Sequence, residues 1–155
     1  MFGKKDIVEI LLLIGLTKLR KGTEMKIFYT DCKVNFVDEN NVFVGYDDFQ
    51  CCCENHGWFI SKFEDEDSVE NLKDKDFYSD DILKGYVFDK SYHKTLSIKD
   101  DNYSEHPSWS DCVQFKLIKN FSPNLFLYLY NFHNGYYSHG FTMKDVNQII
   151  FKGDL

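Results

Sequence analysis

Beyond residue 25 the apolar positions of this chain recur mostly every second residue, the period of a half-buried strand rather than of a helix. The clearest run is Cys112–Lys119, where Val113, Phe115 and Leu117 lie on one face and Gln114, Lys116 and Ile118 on the other. Lys26–Thr30 and Lys33–Asp38 are rich in strand formers. Asp38-Glu39-Asn40-Asn41 is a turn signal before Val42–Tyr46, which predicts a hairpin. Trp58–Phe63 and Leu83–Asp89 read as further strands, with Gly85 marking a weak point or a bulge in the second. Leu125–Phe132, after the turn Ser122-Pro123-Asn124, is apolar on both faces, as a central strand requires. Asn134-Gly135 is a strong two-residue turn signal, because both residues tolerate positive φ. It predicts that Tyr136–Met143 returns as the hairpin partner of Leu125–Phe132.

Three stretches depart from this pattern. Glu64 to Asp81 holds nine carboxylates and two lysines, and around Val69–Leu72 it suits one or two helical turns. Lys90–Ser110 is polar, contains Pro107, and reads as the longest loop. Lys144–Phe151 suits either a short helix or a last strand. The expectation is one α+β domain over residues 25–155, mainly antiparallel β-sheet in hairpins with one or two short helices.

Residues 1–24 form an apolar and basic segment. Ile7–Leu16 is apolar except for Glu9, with Lys4 and Lys5 before it and Lys18, Arg20 and Lys21 after it. A helix that spans a bilayer needs about 20 apolar residues, and no small-residue cleavage site follows the run. The segment therefore reads as a docking helix or as a stretch upstream of a start at Met25, and no membrane role is expected.

Composition sharpens the strand reading. The chain has no alanine, while fifteen Phe and ten Tyr supply its bulk. With 43% hydrophobic and 28% charged residues it has the balance of a globular domain. A net charge of −7 argues against direct binding of nucleic acid along a basic face. The five cysteines are odd in number and three are adjacent, a poor disulfide framework, so the thiols are expected reduced and the chain cytoplasmic.

The densest chemistry is Cys51-Cys52-Cys53-Glu54-Asn55-His56. Neighbours on an extended chain point to opposite faces, so the triplet offers a metal at most two ligands on one side. His56 could join them, and His133 and His139, which flank the 134–135 turn, could supply the rest. Zinc is the metal such Cys and His ligands suit, although their spacing matches no established pattern. Nucleophilic catalysis would need a thiol activated by a nearby imidazole or cation, with His56 the nearest base. No phosphate loop, Gly-rich elbow or His-Glu-x-x-His helix is present, so no catalytic residue is assigned. Buried free cysteines also serve as small core hydrophobes. The acidic run from Glu64 to Asp81 could imitate nucleic-acid phosphates, or form a solvated face. The aromatic residues on either side of Asn134-Gly135 could form a contact surface, or cross-strand pairs within the sheet.

Two islands, Gln50-Cys51-Cys52-Cys53-Glu54 before a strand and Asn134-Gly135-Tyr136-Tyr137-Ser138, resemble segments of a group of small bacterial and phage proteins of unknown function. In that group a Gln-x-Cys-Cys-Glu segment precedes a strand and an Asn-Gly-Tyr-Tyr-Ser hairpin closes the domain. Cys52, Cys53 and Glu54 match its cysteine pair and acid, with Cys51 an extra thiol. The resemblance implies a fold and a phage or mobile-element setting, but no activity. The sequence thus supports a small cytoplasmic binding protein with a protein partner. Its alternatives are a thiol or metal site built on Cys52, Cys53, Glu54, His56, His133 and His139, and an acidic mimic of nucleic acid.

Overall fold

The computed structural model describes residues 24–49, 55–65, 80–100, 108–132, 137–146 and 148–155. Nine strands follow in chain order among these residues: β1 (Lys26–Thr30), β2 (Lys33–Val37), β3 (Val42–Asp47), β4 (Asn55–Ser61), β5 (Val87–Asp100), β6 (Ser108–Ile118), β7 (Leu125–Phe132), β8 (Gly140–Asp145) and β9 (Gln148–Asp154). A single helical turn, α1 (Asp80–Leu83), precedes β5. All pairings are antiparallel. One sheet has the order β1-β2-β3-β8-β9 and the other β4-β7-β6-β5. The first stretch of apolar residues before Met25 lies outside the described residues.

The α+β expectation is therefore corrected to a fold of two antiparallel sheets. Two segments account for the difference. Lys144–Phe151 turns back as β9 rather than coiling. Lys90–Asp100, read as loop, continues β5 at the edge of its sheet. An edge strand needs only one apolar face and commonly carries charge on the other, so polar composition alone hides it. Where the register of β5 shifts, between Phe88 and His93, the Asp89 carboxylate accepts hydrogen bonds from the Ser91 amide at 3.0 Å and hydroxyl at 2.6 Å.

The predicted closing hairpin is corrected as well. β7 lies between β4 and β6, while β8 pairs with β3 and β9 in the other sheet. The connection after Phe132 thus crosses between sheets. A turn signal specifies a reversal but not which strand lies alongside. The 38–41 hairpin does form, and β1 joins β2 through the two-residue turn Asp31-Cys32. Both turn residues have positive φ (32° and 62°), as such a tight hairpin demands.

The sheets face one another across one core. Phe36, Val44, Tyr46, Phe141 and Met143 from the five-stranded sheet meet Ile60, Phe115, Leu117, Leu127 and Leu129 from the other. Edge-to-face rings cross the interface, with Phe36 at 5.0 Å from Trp58 and Phe115 at 6.2 Å from Phe141. The Tyr46 hydroxyl donates across it to the Tyr130 carbonyl at 2.7 Å. At one end, buried Asp38 joins the sheets. Its carboxylate accepts from the amides of Asn40 and Val42 in the β2–β3 turn and, at 2.8 Å, from Phe88 of β5. A second cluster, Cys112, Phe126, Tyr128 and Phe132, covers the outer face of the four-stranded sheet. That explains why β7 is apolar on both sides. Among the described residues no helix is long and apolar enough to cross a membrane.

Candidate functional site

Alternation along β4 directs His56 to the same face as Trp58 and Ile60, toward the other sheet. His139, just before β8, is fully buried and exchanges backbone hydrogen bonds with Leu155 at 2.8 and 2.9 Å. The two residues come from opposite sheets and stack, with ring centroids 4.2 Å apart and planes at 30°. The Phe49 ring stacks on His139 at 4.8 Å, and Tyr46 leans in at 5.9 Å.

Each imidazole is held in orientation by one ring nitrogen. Nδ1 of His139 meets the Asp47 carbonyl, which can only accept, so this nitrogen carries the hydrogen. Nε2 of His56 lies 3.1 Å from Oδ1 of Asp48. The Asp48 amide in turn donates to the Cys32 carbonyl at 2.7 Å, fixing the start of the segment that leads into the cysteines. In the neutral ring the lone pair then sits on Nδ1 of His56 and on Nε2 of His139. A backbone carbonyl and a carboxylate behind two imidazoles is the arrangement that commonly orients metal-binding histidines.

Of the residues singled out from sequence, the structure brings together His56 and His139. Cys52, Cys53, Glu54 and His133 lie outside the described residues, although their chain neighbours Asn55 and Phe132 pair directly in the β4–β7 ladder. Among the described residues no group of three or more His, Cys, Asp or Glu side chains is arranged to hold a metal. The other two cysteines are dispersed. Cys32 is exposed in the β1–β2 turn, and Cys112 is buried in the outer cluster, where loss of solvent pushes its thiol well above the ordinary range. Cys112 is therefore a packing residue rather than a nucleophile.

The aromatic residues proposed as a contact surface near β7 are mostly interior. Tyr128, Phe132 and Phe141 are buried, and Tyr137 is exposed. On the outer face of the four-stranded sheet, Gln114 Nε2 donates to the Tyr128 hydroxyl at 2.6 Å, and that hydroxyl donates to the Phe63 carbonyl at 2.7 Å. The acidic run is largely outside the described residues. Its first members are tied down, Glu64 to the Tyr92 hydroxyl at 2.7 Å and Asp65 to Lys94 at 2.7 Å.

A feature that sequence reasoning missed lies at the opposite end of the sandwich from the histidines. Phe121 projects fully into solvent, with a relative exposure of 107%, from the turn between β6 and β7. Its φ is +59°, a left-handed conformation that costs a bulky residue roughly 1–2 kcal/mol. The turn closes with the Ser122 amide donating to the Lys119 carbonyl at 3.2 Å. Its base is braced by the Tyr86 hydroxyl on the Pro123 carbonyl at 2.8 Å and by Lys119 over the Tyr86 ring at 5.5 Å. Ile118, on the turn's shoulder, and Ile82 of α1 are also exposed. The sequence offers only the place of an aromatic residue beside the turn Ser122-Pro123-Asn124, and does not say whether its ring is buried.

Searches against models of protein families, curated proteins and solved structures found no match to this chain.

Proposed function

We propose that this chain is a small protein-binding module that works by non-covalent contact, with Phe121 as its anchor. The observation that supports this reading is the pairing of full exposure with positive φ at Phe121. A large aromatic side chain is held in water on a strained, braced turn, where glycine or asparagine would be the unstrained choice. An aromatic anchor presented rigidly loses little entropy on docking, and aromatic residues are enriched among the few that dominate interface energies. Ile118, on the shoulder of the same turn, widens the apolar contact, and Lys119 at its base adds positive charge. The free thiols at Cys32 and Cys112 fit a reducing compartment such as the cytoplasm, and the phage or mobile-element setting rests on the resemblance alone. The test is affinity capture from the native host with quantitative mass spectrometry, comparing the wild type with Phe121→Gly. At least one protein enriched by the wild type is expected to be lost from the variant.

A second reading, a metal site at the opposite end, is supported by the orientation of His56 and His139. Their outer nitrogens are fixed by Asp48 and by the Asp47 carbonyl. Thiols of the 51–53 segment would complete a zinc-type ligand set, and the ion would tie that segment to both sheets. Metal analysis of reduced, tag-free protein should then give near-stoichiometric zinc, lost in both His56→Ala and Cys52→Ser. Metal-free wild type with unchanged folding would leave the histidines as a packed aromatic corner.

A further inference from the structure

The outer face of the five-stranded sheet carries a depression of about 400 Å³, within the size range of small-molecule sites. Its position follows from strand register. Gly45, Thr142 and Lys152 lie side by side across β3, β8 and β9, with Phe43 beside Lys144 in the next row. Gly140 and Asp154 pair in the row on the other side. Two glycines keep the floor low. A Cβ on Gly45 would come within 2.7 Å of the Phe43 ring, which lies over that backbone, and a Cβ on Gly140 would come within 3.0 Å of the Asp47 carboxylate.

The charges around this floor are unevenly engaged. Asp47 is occupied by Lys33 at 3.0 Å and by the Gly140 amide at 3.1 Å. Among the described residues Lys144, Lys152 and Asp154 form no ion pair. The chain as a whole carries −7, yet here Lys33, Lys144 and Lys152 outnumber Asp47 and Asp154. A small anion therefore meets a locally favourable field on a surface that otherwise repels it.

We propose that this depression binds a small organic anion with a hydroxylated body, of the sugar phosphate or sugar acid class. The anionic group sits with the ammonium groups of Lys144 and Lys152. Hydroxyls of the body donate to Asp154 and to Thr142, and its C–H face lies along Phe43. The site is separate from the Phe121 turn and independent of the proposed protein contact.

The test is titration of the wild type with glucose 6-phosphate, glucuronate, neutral glucose and inorganic phosphate, followed by calorimetry and amide NMR. At least one anionic sugar should bind, with shifts centred on Gly45, Thr142 and Lys152, and whichever binds more tightly identifies the head group. Glucose and inorganic phosphate should each bind about ten-fold more weakly or worse, because each lacks half of the contacts. Lys144→Gln and Lys152→Gln should each weaken binding about ten-fold while keeping the wild-type amide pattern elsewhere. Added salt should weaken the wild-type complex. No binding by either anionic sugar, affinity unchanged in the double lysine variant, or glucose bound equally well would each overturn the proposal.

Discussion

Phe115→Ala is expected to destabilise the domain by about 3–5 kcal/mol, the range for removing a fully buried aromatic side chain. Phe115 sits on β6 with no exposed surface and contacts rings from both sheets: Phe88 at 6.4 Å, Phe141 at 6.2 Å and Phe151 at 6.4 Å, all near edge-to-face. Truncation would open a void where the sheets meet, and neither backbone can close on it without breaking ladder hydrogen bonds. A loss of this size is a large share of the stability of an ordinary domain. Chemical denaturation with an unchanged m-value would show that the native state, rather than the unfolded chain, has been altered.

Asp38 should produce the other large effect, by a different mechanism. Its carboxylate receives three backbone amides, two from the β2–β3 turn and one from Phe88, so it holds two sheets together through hydrogen bonds alone. Asp38→Ala leaves the buried Val42 and Phe88 amides without their acceptor and is expected to cost about 3 kcal/mol or more. Asp38→Asn is a subtler probe. Its amide can present oxygen to the turn or to Phe88, but not to both, so one N–H is left facing N–H, at a cost of about 1–3 kcal/mol.

The pH dependence separates charge from shape. Burial raises the Asp38 pKa above 3.8, outweighing the three amides, which act in the opposite sense. The folded state therefore holds this proton more tightly than the unfolded chain does. The stabilisation from protonation is full below 3.8 and is lost as pH rises through the raised folded value. The stability difference between wild type and Asp38→Asn should be largest in acid and narrow toward neutrality. A difference that widens with pH would contradict this account.

Much of the strand layout was legible because it rests on local rules. The alternation of Val113, Phe115 and Leu117 placed β6, and the double-faced run at Leu125–Phe132 marked a central strand, which β7 is. The 38–41 turn was readable for the same reason. Sheet membership was not, since Asn134-Gly135 indicates a reversal while the partner of β8 is chosen by packing between distant segments. Beyond Asp89, β5 escaped notice because Lys90, Ser91, His93 and Lys94 break the apolar alternation, although the His93 ring stacks on Phe151 of the other sheet at 3.6 Å. The convergence of His56 with His139 follows from β4 and β8 lying in opposite sheets, a placement the predicted β7–β8 hairpin would not have produced. Phe121 was invisible for a further reason. Neither its exposure nor its positive φ can be read from the residue type, which in a strand-rich sequence suggests core.

The measurement closest to the central claim sets the melting temperature of Phe121→Gly beside its captured proteins. Glycine relieves the left-handed backbone, so the variant should melt higher, by the equivalent of about 1 kcal/mol, while losing a protein the wild type captures. Gain of stability with loss of contact is the signature of a residue kept for binding. A variant that captures the same proteins as the wild type, or one that melts lower because the ring supports the fold, would contradict the assignment of Phe121 as the anchor.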